Sequence, residues 1–330
     1  MKRPKSFLSF AIAFGVCYDK ADQRETGDRM RKRNSRGKGL LLIILLLSAA
    51  LGVVLIKLRQ PKEEEYIDPH EGQVLVNDGF NDVWITPIEG VEVSGLKKED
   101  FDTYDGKIVY TGEDYDTVLG IDVSEHQWEI DWERVAASGV RFAYIRSGYR
   151  GYTQGGLFED PWFRANAENA RKAGLDVGVY FYSQAVNVAE AIEEAKYVLE
   201  QIESYEITLP VMYDWEKLED TPDARTNELD PSIIGDCGVA FCETIRAAGY
   251  EAGIYFNRQL GYYSFDLGRL KDCKLWLAEP GDYPSFYYAG NIWQYTHEGE
   301  VPGIEGPVDL NLMFIKRPEH TPEPEASPQP

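Results

Sequence analysis

The stretch Leu209-Pro-Val-Met-Tyr-Asp-Trp-Glu216 reads as a buried strand that ends by presenting two carboxylates. Its early positions are apolar, and the residues after it, Lys217 to Asn227, are polar and contain proline. Side chains alternate across a strand, so Asp214 and Glu216 share a face with Cβ atoms roughly 6–7 Å apart. Most Asp-x-Glu triplets are solvated charges. This one sits where a buried strand opens into a loop, and carboxylates paired at that scale are what glycoside hydrolysis uses.

Outward from this stretch, apolar runs of strand length alternate with helical patterns from Thr117 to Lys316. Strands are expected at Val118–Ser124, Arg141–Ser147, Asp176–Ser183, Leu209–Glu216, Glu251–Asn257, Lys274–Glu279, Asn291–Tyr295 and Val308–Phe314. Helices are expected near Asp131–Ser138, Pro161–Ala173, Ala189–Tyr205 and Pro231–Ala248. The stripe Ile192, Ala195, Leu199 and Ile202 supports the third of these. Pro161 and Pro231 suit a first turn, and Gly139, Gly174 and Gly249 fall just past helix ends.

Repeated strand–helix units imply a parallel sheet, and eight strands suffice to close a barrel. The last three strands lack proper intervening helices. The expected fold is therefore α/β, an irregular TIM-like (β/α)5(β)3 barrel over residues 118–316, with its site at the C-terminal ends of the strands. Asp122, in Gly120-Ile-Asp-Val-Ser-Glu-His-Gln127, and Asp309, in Gly306-Pro-Val-Asp-Leu-Asn311, fall on the first and eighth strands, which are neighbours once a barrel closes. Four carboxylates then share one mouth, and crowded like charges raise the pKa of at least one of them.

The flanks carry different signals. Of a net charge of −22, residues 1–38 contribute +7, leaving −29 on residues 39–330. A body that acidic is a poor partner for nucleic acid, which selects basic patches. Residues 39–58 begin with 18 uncharged, mostly aliphatic positions, Gly39 to Ile56, long enough as a helix to cross a bilayer. Arg29, Arg31, Lys32, Arg33, Arg36 and Lys38 precede them, which orients a basic cytoplasmic segment 1–38 inside and the body outside the cell. A cleaved signal peptide is the rival, with Ser48-Ala49-Ala50 as its cleavage site, but the apolar run continues through Ile56 and favours a retained anchor. Met30 opens a conventional basic-then-apolar anchor and is expected as an alternative start.

Residues 59–117 form an acidic connector with strand-like runs at Val74–Val76, Val83–Pro87 and Lys107–Tyr110, so a small β-rich appendage is expected. Residues 317–330, rich in Pro, Glu and Ser, read as a disordered tail. Of the four cysteines, Cys17 falls on the cytoplasmic side, which leaves at least one of Cys237, Cys242 and Cys273 without a partner. Cys237 and Cys242 project about 140° apart on a helix, so no bond is expected between them. The four His are scattered, no metal-ligand spacing occurs, and no metal or other cofactor is expected.

Eight pieces occur in a telling order: Gly120-Ile-Asp-Val-Ser-x-x-Gln127, Tyr144-Ile-Arg146, Gly178-Val-Tyr-Phe-Tyr-Ser183, Asp214-Trp-Glu216, Gly253-Ile-Tyr255, Leu275-Trp-Leu-Ala278, Trp293-Gln-Tyr295 and Val308-Asp-Leu-Asn311. Together they resemble glycoside hydrolase family 25, the cell-wall muramidases often called Chalaropsis-type lysozymes. The resemblance covers Leu119 to Phe314. It implies hydrolysis of the β-1,4 bond between N-acetylmuramic acid and N-acetylglucosamine in peptidoglycan, here by a membrane-anchored enzyme at the surface of a Gram-positive bacterium. It makes Glu216 the general acid and later the base. Asp214 then resembles the residue that assists the substrate's own 2-acetamido group, with direct attack as the alternative. Asp122 and Asp309 match supporting acidic residues.

Tyr180, Tyr182, Trp276 and Tyr295 are candidate sugar-packing aromatics, with Gln294 and Asn257 as hydrogen-bonding partners. Arg146 is either a substrate contact or a structural ion-pair partner. Two positions depart from the family: Phe181 stands where a His is usual, and Glu279-Pro280 where an aromatic residue is. Neither removes an acid. The alternatives are a chitinase-like endo-N-acetylglucosaminidase, whose longer Asp-rich run is missing here, and a tethered glycan-binding protein without catalysis.

Overall fold

A computed structural model describes residues 30–59, 68–218 and 221–318. The expected cytoplasmic segment up to residue 29, with Cys17, lies outside the described residues, as does the expected tail beyond residue 318. Two units are distinguished, one ending at Asp68 and one beginning at Pro69. Among the described residues, the first contains one long helix, α1 (Met30–Arg59). Its stretch Lys38–Arg59, 22 residues, is long and apolar enough to cross a membrane.

The second unit begins with two hairpins, β1 (Val74–Asn77) with β2 (Asp82–Ile85) and β3 (Phe101–Tyr104) with β4 (Lys107–Tyr110). Asp105 and Gly106, both at positive φ, make the tight turn between β3 and β4. An Asp-Gly pair supplies that conformation at least cost, and it is the signal that betrays β3, which the apolar pattern alone does not reveal.

The remaining strands are β5 (Tyr115–Val123), β6 (Phe142–Arg150), β7 (Leu157–Glu159), β8 (Asp176–Ser183), β9 (Val211–Trp215), β10 (Ala252–Asn257), β11 (Lys274–Ala278), β12 (Ile292–Gly299) and β13 (Val308–Lys316). Between them run α2 (Trp132–Ala137), α3 (Phe163–Lys172), α4 (Val188–Ile202), α5 (Pro231–Ala247) and α6 (Arg258–Tyr263). Pairing in the order β5-β13-β12-β11-β10-β9-β8-β6, with β5 against β6, closes an eight-stranded barrel; β7 extends β6 as a hairpin. Ladders from β5 through β6 and β8 to β12 are parallel, and β13 is antiparallel to both neighbours.

Helix ends follow local chemistry. Asp131, Asn187 and Asp230 accept backbone N–H bonds as N-caps, and Pro231 occupies the first turn of α5. Gly174 and Gly249 close α3 and α5 at φ +83 and +93.

Alternation along the strands makes two cores. Phe142, Tyr144, Met212, Trp276 and Ile292 fill the barrel. A larger layer lies between strands and helices. Inside the barrel a Cβ at Gly120 would collide with Phe142 and one at Gly178 with Tyr144, so these glycines make room for the rings. Among the described residues, the chain that joins β12 to β13 contains no helix. The β3–β4 hairpin packs on β12, β13 and β5: Phe101 packs edge-on against Trp293 and Phe314, and Tyr110 against Phe314 and Tyr115. The bridge Val93–Tyr288 fastens the same connector lower down.

On α4 the buried stripe is Ala191, Glu194, Ala195, Val198 and Ile202, turned from the expected one. The reason is Glu194, fully buried yet bonded to Arg150 Nε at 2.6 Å and Ser183 Oγ at 2.7 Å. Burial pushes its carboxyl up to about 7. A paired acid inside the helix face is invisible to a count of apolar residues. Cys237, Cys242 and Cys273 are buried free thiols.

Candidate active site

At the C-terminal end of the barrel a cleft of about 710 Å³ holds all four predicted acids. The register explains their meeting. Asp214 is level with Tyr182 on one side and Tyr255 on the other, and Glu216 follows one alternation later. Asp309 stands directly opposite Asp122 across the β5–β13 ladder. Opposed Cβ atoms in such a pair are about 5 Å apart, close enough for two carboxylates to repel strongly.

Asp122 is buried and its Oδ1 accepts from Asn311 Nδ2 at 2.7 Å and Gln294 Nε2 at 2.9 Å. Each donor is itself held. Tyr255 donates its hydroxyl to Gln294 Oε1 at 2.8 Å, and Trp276 Nε1 donates to Asn311 Oδ1 at 2.8 Å. Amides so held cannot rotate, which fixes the orientation of the carboxylate. Burial nonetheless pushes Asp122 well above the usual carboxylate range, and the neighbouring Asp309 adds to this. Asp309 is bonded to His297 at 2.8 Å, which raises the imidazole pKa.

The β9 acids are placed differently. Asp214 is 4 % exposed, and its Oδ1 has no hydrogen-bond partner. Burial first, then the charge of Glu216, push its pKa well up. Burial also raises Glu216, while the His297 charge opposes the rise and Asp309 adds to it. Two crowded, desolvated carboxyls favour a state in which the pair keeps a proton. That proton is what a general acid at neutral pH requires.

Of the other predicted site residues, Tyr180, Tyr182, Asn257, Trp276, Gln294 and Arg146 line the cleft. Their placements differ in kind. Trp276, only 1 % exposed, is the cleft floor, edge-on to Tyr180 and Tyr255. Arg146 donates from Nε to Asp160 at 2.8 Å and from Nη2 to Glu125 at 2.9 Å, both acids outside the four. Asn257 caps α6 through its Oδ1. Tyr295 is not brought to the mouth. Adjacent residues of a strand face opposite ways, and with Gln294 inside, Tyr295 points outward onto Trp293 and the β3–β4 hairpin.

Tyr255, Asn311 and His297 are site residues that the motifs contain or adjoin but that sequence reasoning did not assign. Tyr255 shares a face with Asn257, and Asn311 with Asp309, so strict alternation finds both. His297 is hidden by irregularity. The β12–β13 register shifts between Gln294 and Thr296 and again before Gly299, so odd and even positions exchange faces.

Comparison with known proteins agrees with this geometry. The model of glycosyl hydrolases family 25 matches residues 121–304. Lysozyme M1 of Streptomyces globisporus is 29% identical over 209 residues, 59% of this chain and 67% of its own length. The autolytic lysozyme of Clostridium acetobutylicum is 26% identical over 194 residues, 58% of this chain and 54% of its own. Among solved structures, the modular autolysin LytC of Streptococcus pneumoniae, in complex with a synthetic peptidoglycan ligand, superposes with a TM-score of 0.54 at 26% identity. That match covers 64% of this chain, which spans about half, 51%, of the LytC chain. A family 25 glycosyl hydrolase from Bacillus anthracis shares the fold, with a TM-score of 0.51 at 21% identity over 66% of this chain and 94% of its own. With the family match extending over more than half of the sequence and the acids gathered at one barrel mouth, the chain belongs to glycosyl hydrolases family 25 and is a glycoside hydrolase.

Proposed function

We propose that this protein is a membrane-tethered N-acetylmuramidase that cleaves the β-1,4 bond between N-acetylmuramic acid and N-acetylglucosamine in peptidoglycan. The observation that carries the reading is the Asp214–Glu216 pair at the cleft, with Asp214 buried and one of its oxygens unpartnered. The lysozyme names of the Streptomyces and Clostridium relatives, and the peptidoglycan ligand bound to LytC, support wall glycan as the substrate class.

In this mechanism a sugar acetamido N–H donates to the free Asp214 oxygen. Hydrogen bonding to the charged form lowers the pKa of Asp214, so the shared proton moves to Glu216. Glu216 then gives that proton to the glycosidic oxygen as the bond to the anomeric carbon breaks. The acetamido oxygen, made more nucleophilic by Asp214, closes on the same carbon from the opposite face. Glu216, now ionised, takes a proton from water, which opens the cyclic intermediate with overall retention. Asp122 and Asp309 hold the far side of the sugar and tune Glu216. Tyr180 and Tyr182 flank the reacting ring.

The apolar stretch of α1 serves as anchor, and the Lys and Arg before it orient the N-terminus inward. The catalytic domain then works on the outer side, where its substrate lies.

The product ends test the reading. Peptidoglycan digested with the protein, reduced with borohydride and analysed by mass spectrometry is expected to carry reduced muramic acid ends. Reduced glucosamine ends would assign an endo-N-acetylglucosaminidase instead, and no new ends would leave a binding protein.

A further inference from the structure

The cleft continues past the four carboxylates. His126 and Gln127 line both it and a second groove of about 1100 Å³, walled by residues 126–131 and by the turn Pro302–Glu305. On the rim stands Trp128, 70 % exposed. Its backbone lies at φ 53, ψ −132, a conformation that glycine adopts freely and a bulky side chain does not.

That backbone is held on both sides. Gln127 Oε1 accepts from the Ser124 N–H at 2.9 Å, the Trp128 N–H donates to the Glu125 carbonyl at 3.2 Å, and the Asp131 N–H donates to the Gly303 carbonyl at 2.9 Å. The loop is therefore a fixed frame, and it aims the indole at solvent. An exposed indole on strained backbone serves neither packing nor chain conformation. Strain of this kind gathers at ligand-binding positions.

The groove pairs one broad aromatic face with polar side chains, Gln127, Glu129 and Glu305 among them. Arg134 stands there beside Glu129, Asp131 and Glu305, so the lining is mixed in charge, and its carboxylates accept hydrogen bonds from hydroxyls. A pyranose fits both features: its C–H face packs on an aromatic ring and its hydroxyls donate to acids and amides. Continuity with the catalytic cleft makes the natural occupant another sugar of the same strand. We propose that Trp128 and this groove form a further saccharide subsite, which stacks a pyranose of the glycan strand beyond those held at the carboxylates. The inference rests on the glycan-hydrolase reading above.

The test uses the full chain with Glu216→Gln, so that strands bind without being cut, and calorimetric titration with soluble peptidoglycan strands of graded length. Adding Trp128→Gly is expected to lower the preference for long over short strands about tenfold. Trp128→Tyr is expected to keep most of that preference. Because glycine suits φ 53, the Gly variant melts no lower than its parent, and lost binding is then not lost folding. A length preference unchanged by Trp128→Gly overturns the subsite. If the Glu216→Gln protein binds strands of no length and the native protein releases no new ends, both the glycan reading and the subsite fall.

Discussion

Asp122 and Asp309 face each other across the β5–β13 ladder, and Asp214 and Glu216 stand two residues apart at the end of β9. Both pairs crowd negative charge into one mouth, yet they are provided for differently. Asp122 has two amide donors, each locked by a further hydrogen bond, and Asp309 has His297. Asp214 is equally buried and keeps an oxygen with no donor. Several buried side-chain atoms lack a partner, but Asp214 Oδ1 is the carboxylate oxygen among them, and it belongs to a residue that lines the cleft. In the proposed mechanism the first pair holds the sugar and shapes the field, and the second carries out the proton transfers.

Removing the proposed proton donor tests that division most severely. Glu216→Gln keeps the shape of the side chain and abolishes its acid and base roles, so wall lysis is expected to fall by about 10³-fold or more. Circular dichroism should be unchanged. Lysis within a fewfold of the native rate would place the general acid elsewhere.

Asp214→Asn separates function from stability. Turnover is expected to fall about 10²-fold, since an amide orients the acetamido group but does not enhance its attack. Stability should move the other way. Burial raises the folded-state pKa of Asp214 above its unfolded value, so its contribution to stability is present below the unfolded pKa and is lost as pH rises through the folded one. At neutral pH the native protein bears that cost and the Asn variant does not. A gain of about 1 kcal/mol, roughly 2–4 °C in Tm for a domain of this size, is expected at pH 7 and should vanish near pH 4. A variant less stable at pH 7 would mean that Asp214 has a partner after all.

The same contrast governs what could be read from sequence. Strands β8 to β11 were legible because doubly covered parallel strands are continuous apolar runs, and the acids ending them stand out against that background. The family motifs singled out four acids, and the structure brings all four to one cleft. Side-chain direction was harder. Gln294 and Tyr295 were both expected in the cleft, although neighbours on a strand face opposite ways, and the structure keeps only Gln294 there. Glu194 turned the expected face of α4 because a buried ion pair mimics a polar surface residue. The hydrogen bonds that hold Asp122 have no sequence signature, since they come from Gln294 and Asn311, more than a hundred positions away, and the missing donor at Asp214 has none either.

His297, brought inward by the irregular β12 register, gives the finest test of the comparison. Its charge lowers the pKa of Glu216, and it occupies Asp309, which raises that pKa. His297→Gln removes the cation and weakens the hold on Asp309, and both changes push Glu216 upward. The basic limb of the pH–rate profile is therefore expected to move to higher pH by less than about one unit, because the imidazole is half exposed and screened. Raising salt should shrink the difference between variant and parent. The bond to Asp309 raises the folded pKa of His297, so its contribution to stability is full below the unfolded value near 6.5 and fades as pH rises through the folded one. The variant should thus melt lower than the parent at pH 5 and converge with it above neutrality. A basic limb that stays in place or moves down would show that the β5–β13 acids and their histidine do not reach Glu216, and the two pairs would then be independent.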